Sequence, residues 1–272
     1  AAVREMAGRL SVVSAERIRV ELDKLMVGDH VGAALWGLVE SGLADEFLPE
    51  LPALAVEQDP VHRHKDVLAH TIAVVEKTEP DLRLRLAALF HDVGKPATRR
   101  FEAGGVTFHH HEAVGARITK ERMEALRYSN QMVDDVARLV FLHMRPHTYK
   151  MGWTDSAVRR YVRDAGPLLT RLNDLVRCDV TTRSVKRAKA IERRIDELEE
   201  RIDELRAQEE LDALRPPIDG HGVMAHLGLS PGPLVGEAMH LLTEHRIDHG
   251  PFSEEEAYEL LDDWWATRDT AP

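Results

Sequence analysis

The chain of 272 residues has little of three things that would assign it to other classes of protein. A single cysteine, Cys178, excludes an internal disulfide framework and fits a reducing compartment. No apolar run approaches the roughly 18 to 20 residues that cross a bilayer, and the first residues lack a signal-peptide layout. Positive charge is also in the minority, since 47 Asp and Glu outnumber 36 Lys and Arg. These absences predict a cytoplasmic protein with no membrane partner.

The remaining composition is ordinary for a soluble globular protein, with 43% hydrophobic and 31% charged residues. A net charge of −11 argues against a generally cationic nucleic-acid binder, although a local basic patch can still bind one. The first ten residues, AAVREMAGRL, lack an initial Met and begin part-way through a helical pattern. We therefore expect the chain to be a piece of a longer protein, with one or two domains.

The stretch LAALFHDVGK (86–95) is the most informative in the chain. Its apolar residues have helical spacing, so it predicts a buried helix that ends with His91 and Asp92 side by side. We expect Gly94 to end this helix in the left-handed conformation that helix ends often use. A buried carboxylate is costly unless a cation or hydrogen bonds compensate it. A bound metal ion would do so, and the alternative is a core histidine beside a solvated aspartate.

Histidine is concentrated around this stretch, which favours the metal site, because histidine is the commonest metal-binding side chain. Nine of the fifteen histidines lie between positions 62 and 147: His62, His64, His70, His91, His109, His110, His111, His143 and His147. His70, His111 and His143 each fall in a different predicted helix, and Asp179 falls in a further one. His62 and His64 are predicted to lie in a loop or first turn, where a surface role is expected.

The order His … His-Asp … Asp on separate helices resembles the HD superfamily of metal-dependent phosphohydrolases. The resemblance implies four metal ligands: His70, His91, Asp92 and Asp179. It further implies that His111 and His143 complete a second metal site and that Lys95 contacts substrate phosphate, so His91, Asp92 and Lys95 are the predicted catalytic residues. Imidazole and carboxylate ligands without thiolate suit one or two divalent ions of Mg, Mn, Fe, Co or Ni.

Segments on both sides of this region resemble the bacterial CCA-adding tRNA nucleotidyltransferases. On the N-terminal side the resemblance rests on SAERIRVELDKLM followed by a short helix and LADEFLPEL, which match the neck of these enzymes. On the C-terminal side it rests on DGHGVMAHLGLSPGPLVGEA (219–238), which matches their tail. An HD domain often follows the neck in that family, so the resemblance covers nearly the whole chain. It implies a role in adding or repairing the CCA end of tRNA.

A basic stretch at 183–194 precedes a heptad-like helix. Its six cations are Arg183, Lys186, Arg187, Lys189, Arg193 and Arg194. The stretch is either a solvated face or, as the family resemblance implies, a source of phosphate contacts to tRNA. The apolar heptad positions barely reach the three to four repeats that a coiled coil needs. We expect this helix to pack within the chain instead of forming a zipper.

These observations predict an all-α protein in three parts. Residues 1–58 form a helical neck, residues 59–182 an HD metal domain, and residues 183–272 a long basic helix and a helical tail that bind tRNA. A short hairpin around Gly104 and Gly105 is the one predicted break from helix. No two aspartates are separated by a single residue, and no Gly-rich strand-to-helix turn is present. Nucleotide addition needs such a carboxylate pair to hold two metal ions, so we expect the chain to lack the nucleotidyltransferase head and to be unable to add nucleotides.

Three functions are consistent with this sequence. The first, which we favour, is the HD-containing part of a tRNA nucleotidyltransferase whose own site hydrolyses phosphoesters. Its expected substrates are phosphorylated nucleotides or RNA 3′ ends, including 2′,3′-cyclic phosphates. The second is an independent HD-type nucleotide phosphohydrolase, which needs neither the neck nor the tail motif. The third is an RNA-binding body whose HD site is vestigial. The sequence does not choose the metal, the oligomeric state or the nucleotide specificity of an attached head.

Overall fold

A computed structural model describes residues 2–56, 66–102, 105–149, 152–180, 185–209 and 214–269. The prediction of an all-α fold is confirmed, because sixteen α-helices and one two-stranded hairpin account for the regular structure of these residues, together with three short 3₁₀ helices. The helices are α1 (Ala2–Met6), α2 (Ala15–Val27), α3 (Val31–Glu40), α4 (Leu43–Phe47), α5 (Glu50–Ala53), α6 (Val67–Lys77), α7 (Leu82–Phe90), α8 (Lys95–Thr98), α9 (His111–Ala125), α10 (Asn130–Leu142), α11 (Asp155–Ala165), α12 (Leu169–Cys178), α13 (Val185–Gln208), α14 (Gly220–Leu227), α15 (Pro233–His249) and α16 (Glu254–Asp269). The strands are β1 (Arg100–Glu102) and β2 (Gly105–Thr107), and the 3₁₀ helices are Ala7–Val12, Arg145–Thr148 and Gly166–Leu168.

The chain divides into two compact units. The first comprises Ala1–Thr148 and Pro167–Ile195, and the second comprises Tyr149–Gly166 and Asp196–Pro272. The boundary therefore falls within α13. The predicted neck lies in the first unit, whereas the predicted HD region is divided, since Tyr149–Gly166 belongs to the second unit. The predicted domain limits at 58 and 182 stay predictions. None of the described helices is both long and apolar enough to span a membrane.

Helix α7 is the centre of the first unit and contacts α2, α6, α10 and α12. It begins where the Asp81 carboxylate accepts the Leu84 N–H at 2.9 Å, which caps the helix. From Leu84 to Phe90 every residue is buried, including Arg85. The Arg85 guanidinium donates to the carbonyls of Met26 and Gly28 at 2.7 and 2.9 Å and to that of Thr78. These carbonyls lie at the ends of α2 and α6, so one buried cation satisfies the exposed acceptors of two helix C-termini.

The prediction that Gly94 ends the helix in a left-handed conformation is wrong, and glycine is required at this position for another reason. Helix α7 ends at Phe90, and Gly94 has an ordinary right-handed φ of −78°, so no left-handed turn is made there. What requires glycine is the close approach of α9. A Cβ on Gly94 would collide with the carbonyl oxygen of His111 and would lie 2.7 Å from the amide nitrogen of Gly115. Gly94 therefore lets the first turn of α9 lie directly against the segment that follows α7.

The predicted hairpin is present between α8 and α9. Strands β1 and β2 pair antiparallel, with Arg100 opposite Thr107 and Phe101 opposite Val106. All three residues of β1 are exposed. The hairpin leads straight into α9, whose first residue is His111.

The second unit has its own apolar core, formed by α14, α15 and α16. Its buried members are Ile218, Val223, Ala238, Leu242, Ala257 and Leu261. A capping box forms at the start of α16, since Ser253 N–H donates to the Glu256 carboxylate at 2.7 Å and Glu256 N–H donates to Ser253 Oγ at 3.1 Å. The heptad positions Ile195, Leu198, Ile202 and Leu205 of α13 are buried within the chain, as expected.

We expect Gly94→Ala to destabilise the protein by at least about 2 kcal/mol, because the added methyl meets backbone that cannot rotate away. Gly37→Ala is the matched control, since Gly37 lies inside α3 and a Cβ there meets nothing within 4 Å. That change should be neutral or stabilise by up to about 1 kcal/mol through helix propensity. Urea unfolding measures both. Equal midpoints for Gly94→Ala and wild type would show that α9 does not need this close approach.

Candidate metal centre

The predicted ligands come from five helices of the first unit and are delivered mainly by helix ends. His70 lies within α6, whose first turn is capped by the Asp66 carboxylate. His91, His143 and Asp179 are the residues that directly follow α7, α10 and α12, and Asp92 is next after His91. His111 is the first residue of α9. Each helix is fixed by its buried apolar face, so packing of the core determines where these polar side chains meet.

Three of the side chains form a first group: His70, His91 and Asp179. His70 Nε2 lies 2.9 Å from Asp179 Oδ1 and 3.2 Å from His91 Nε2. His91 Nε2 lies 3.4 Å from the same carboxylate oxygen. One ligand atom from each residue lies within 4.8 Å of the others, which is the spacing of atoms that share a metal ion.

The other three form a second group: Asp92, His111 and His143. His111 Nε2 lies 3.3 Å from His143 Nε2 and 3.5 Å from Asp92 Oδ1. The second carboxylate oxygen of Asp92, Oδ2, instead lies 3.2 Å from His91 Nε2 and 3.4 Å from His70 Nε2. Asp92 thus directs one oxygen toward each group. All six predicted ligands are brought together, in two groups that this single carboxylate connects.

Hydrogen bonds to the backbone orient three of the imidazoles. The Nδ1 atoms of His91, His111 and His143 lie 2.8, 2.9 and 2.6 Å from the carbonyl oxygens of Ala88, Phe108 and Val140. A carbonyl only accepts, so each Nδ1 carries a hydrogen, and in the neutral form of each imidazole Nε2 keeps its lone pair directed into the centre. This tautomer is the one a metal-binding histidine adopts, with its other nitrogen held by a backbone acceptor. The donor set therefore fits divalent cations.

The charges of the two groups differ. Burial opposes the charged form of His91, yet Asp92 and Asp179 outweigh it and raise the pKa of His91 to about 10. Burial also opposes ionised Asp92 and Asp179, but nearby His91 holds the pKa of both carboxyls well below the usual range. In the second group, burial and then the neighbouring His91 lower the pKa of His143 to about 3. Burial likewise lowers the pKa of His111.

Lys95, the third predicted catalytic residue, lies at the edge of the centre. Its Nζ is 2.7 Å from Asp92 Oδ2, and it also lies 5.6 Å from the centre of the Phe108 ring. Lys95, His70 and Asp179 retain partial exposure, whereas His91, Asp92 and His143 are almost wholly buried. Among the predicted ligands and Lys95, the solvent-exposed side of the centre is therefore that of Lys95, His70 and Asp179.

His147 is the neighbour that sequence reasoning did not assign a role. It lies in the 3₁₀ helix that follows His143, and its Nε2 is 3.4 Å from Asp179 Oδ2, the oxygen that faces away from His91. This separation is short enough for an ion pair, but His147 Nε2 forms no hydrogen bond with any described residue. The four-residue spacing from His143 was the available signal, because it places two histidines one helical turn apart.

Five of the six predicted RNA-binding cations belong to the N-terminal half of α13. Lys186, Lys189 and Arg193 are exposed, and Arg194 is half-buried. Arg183 lies outside the described residues, as do the side chain of Arg187 and the two loop histidines, His62 and His64. His109 and His110 are exposed beside His111, so of the three consecutive histidines only the last enters the centre.

We expect the apparent affinity of the first group for a divalent cation to rise about tenfold per pH unit between about pH 6 and pH 8. His91, with a pKa of about 10, carries a proton throughout this range in the cation-free protein. A ligating imidazole must be neutral, so a cation that binds must displace this proton from His91. At lower pH protons compete more strongly, and the affinity for the cation falls. Calorimetry in buffers of different ionisation enthalpy counts the released protons.

The second group supplies the internal comparison, because its histidines have lowered pKa values and are already neutral at pH 7. Its occupation should release no proton from imidazole. Affinity of the first group that did not change with pH would contradict the protonated state of His91.

Two protein families match the chain. Residues 1–54 match the family described as "Probable RNA and SrmB- binding site of polymerase A". Residues 67–208, just over half of the chain, match the HD domain family. The second match contains all six residues of the two groups.

Curated relatives cover almost the whole chain. A CC-adding tRNA nucleotidyltransferase of Thermus thermophilus is 36% identical over 264 residues, which is 93% of this chain and 58% of the relative. An A-adding tRNA nucleotidyltransferase of Deinococcus radiodurans is 34% identical over 269 residues, which is 95% of this chain and 60% of the relative. A multifunctional CCA protein of Pasteurella multocida is 29% identical over 140 residues, 47% of this chain and 32% of the relative. The chain thus spans about 60% of the length of the first two relatives, and it belongs to the HD domain family, with similarity to bacterial tRNA nucleotidyltransferases along nearly its full length.

Proposed function

We propose that this chain is the HD-containing part of a tRNA nucleotidyltransferase and that its metal centre hydrolyses phosphoesters. The observation that carries the proposal is the Asp92 carboxylate, with one oxygen in contact distance of each histidine group. Two adjacent cation sites connected by a carboxylate are the arrangement that phosphoester hydrolysis uses. A centre with no such chemistry would have no need of five imidazoles and two carboxylates around one buried point.

Each side chain has a defined part in this proposal. His70, His91 and Asp179 would hold one cation, and Asp92, His111 and His143 would hold the other. Bound divalent cations supply Lewis-acid polarisation of the phosphoryl group and lower the pKa of water. Lys95 is close enough to Asp92 and exposed enough to pair with an entering phosphoryl oxygen, which balances charge that develops there. The hydrogen bonds of Nδ1 to backbone keep the imidazoles fixed, so little reorganisation is needed during the reaction.

The substrate we propose is an RNA 3′ end, such as a 2′,3′-cyclic phosphate on tRNA. Support comes from the RNA-binding family match at residues 1–54 and from relatives that are named for tRNA nucleotidyl transfer. Because these 272 residues contain no pair of aspartates separated by one residue, we propose that they do not themselves add nucleotides. The chemistry would take place in the cytoplasm on tRNA that the basic start of α13 helps to hold.

Metal stoichiometry distinguishes the two groups. We expect the wild-type chain to bind two divalent cations, His143→Ala and Asp179→Asn to bind one each, and Asp92→Asn to bind weakly at both groups, since it serves both. Hydrolysis of bis(p-nitrophenyl) phosphate should fall by about a hundredfold or more in all three variants. Elemental analysis after dialysis against Mn²⁺ and initial rates with Mg²⁺, Mn²⁺, Co²⁺ or Ni²⁺ measure both effects.

His226→Ala is the control for loss of a histidine, because His226 pairs with Asp262 in the second unit. It should retain the metal content and the rate of wild type. If a His91→Ala, Asp92→Ala double variant still hydrolyses the substrate, the proposal that bound metal ions carry out the reaction is wrong. Absence of turnover by a wild-type chain that binds tRNA would instead favour an RNA-binding body with a vestigial site.

Charge reversal tests the RNA contact. We expect Arg183→Glu, Lys186→Glu and Arg187→Glu together to weaken tRNA binding about tenfold or more near 0.1 M salt, and to reduce the salt dependence by about one unit of slope per lost phosphate contact. Arg117, Lys120 and Arg138 are the control triple, since they are exposed cations of the first unit away from this stretch. Filter binding across a salt series measures both. If the two triples behave alike, the basic stretch is only a solvated face.

A further inference from the structure

We propose that the outer face of the β1–β2 hairpin binds the last bases of a single-stranded RNA and presents its terminal phosphate to the metal centre. This inference rests on the proposed function for its chemistry, but it concerns a different surface. It specifies the substrate class as a single-stranded RNA end instead of a free nucleotide.

An exposed aromatic ring is the first observation. Phe101 is 74% exposed on a strand whose three residues all face solvent. A single exposed apolar residue is common on protein surfaces, so the significance of Phe101 depends on the group beside its ring. The Arg99 guanidinium lies 4.7 Å from the ring centre, so an aromatic and a planar cation form one stacking surface. Nucleic-acid bases stack on both kinds of group without regard to sequence.

Unpaired cations are the second observation. In a chain of net charge −11, exposed Arg and Lys side chains commonly form ion pairs with carboxylates. Arg117 does so with Glu121 at 2.8 Å. Among the described residues, neither Arg99 nor Arg100 has a guanidinium that forms an ion pair or hydrogen bond. Successive side chains of a strand point to opposite faces, so Arg99 shares the face of Phe101 and Arg100 lies on the other face. An unpaired cation beside an exposed ring fits a ligand that combines flat bases with phosphates.

Continuity with the metal centre is the third observation. The hairpin runs from α8, which begins at Lys95, to His111 in the second group. Val106, opposite Phe101, is five residues before His111, and five residues reach at most about 18 Å when fully extended. Phe108, between them, packs beneath Lys95. A base stacked on Phe101 and a terminal phosphate bound at Lys95 could therefore belong to the same short single strand of RNA.

These three observations predict a preference that a free nucleotide does not satisfy. A mononucleotide can reach Lys95 and the cations but leaves the hairpin unused. A single strand also gains the stack on Phe101 and a contact of Arg99 with one of its phosphates. Bases inside a duplex are already paired and stacked on one another, so a duplex offers the ring only the outer face of its last pair.

The test uses a short fluorescein-labelled single-stranded RNA that ends in a 2′,3′-cyclic phosphate, with bis(p-nitrophenyl) phosphate as the small substrate. Fluorescence anisotropy in the presence of EDTA measures binding without turnover. We expect Phe101→Ala to lower RNA affinity about tenfold, which is the size of one base–aromatic stack, and Phe101→Trp to restore it. In the presence of metal, the ratio of kcat/KM for RNA over the small substrate should fall by a similar factor. Phe141→Ala is the matched control, because Phe141 is a second exposed ring of the first unit, 44% exposed on α10.

Each outcome decides one question. Wild-type affinity in Phe101→Ala, or an equal loss in Phe141→Ala, would overturn the hairpin proposal whether or not the chain hydrolyses phosphoesters. Weakened RNA binding in Phe101→Ala, with no turnover of either substrate by wild type, would support the hairpin surface and reject the hydrolase. Weakened binding with a reduced RNA preference supports both.

Discussion

The structure of the first unit depends on one buried carboxylate, Asp92. A buried ionised carboxyl is strongly unfavourable unless positive charge and hydrogen-bond donors surround it. Here Lys95 lies 2.7 Å from one oxygen, and three imidazoles lie within 3.5 Å of the two oxygens. In the absence of metal the compensation comes from Lys95 and from the proton that the raised pKa keeps on His91. A divalent cation supplies the same compensation more strongly, which makes a protonated resting state and a metal-loaded state two solutions to one electrostatic constraint.

Placement at helix ends makes this arrangement possible. Residues that follow the last turn of a helix are not held in its regular hydrogen bonding, so their side chains can turn into a shared centre. The carbonyls of Ala88 and Val140, which the helices leave without an N–H partner, become acceptors for Nδ1 of His91 and His143. Gly94 allows α9 to approach closely enough for His111 to reach Asp92. The same unsatisfied backbone groups that end the helices therefore orient the metal ligands.

The sequence was sufficient for the parts that repeat a strong pattern. Apolar spacing predicted the helix that precedes His91, and the order of histidines and aspartates predicted six side chains that meet. It did not reveal why position 94 is glycine, because close approach of α9 depends on tertiary packing and leaves no local signal. The contact of His147 with Asp179 was missed for a related reason, since it depends on the turn that follows His143. The exposure of Phe101 was likewise invisible, because a lone aromatic in a short strand ordinarily predicts a core contact.

The two groups are chemically unequal, and this inequality bears on which metals the centre accepts. The first group contains its own carboxylate, Asp179, and is also faced by an oxygen of Asp92. The second group has two neutral imidazoles and only its share of Asp92. Hard ions such as Mg²⁺ prefer oxygen ligands, whereas later transition metals bind imidazole well. The second group would therefore discriminate against Mg²⁺ more strongly than the carboxylate-rich first group. Because Asp92 faces both groups, a cation held by one would withdraw its charge from the other, so the two occupancies would be coupled through this single side chain.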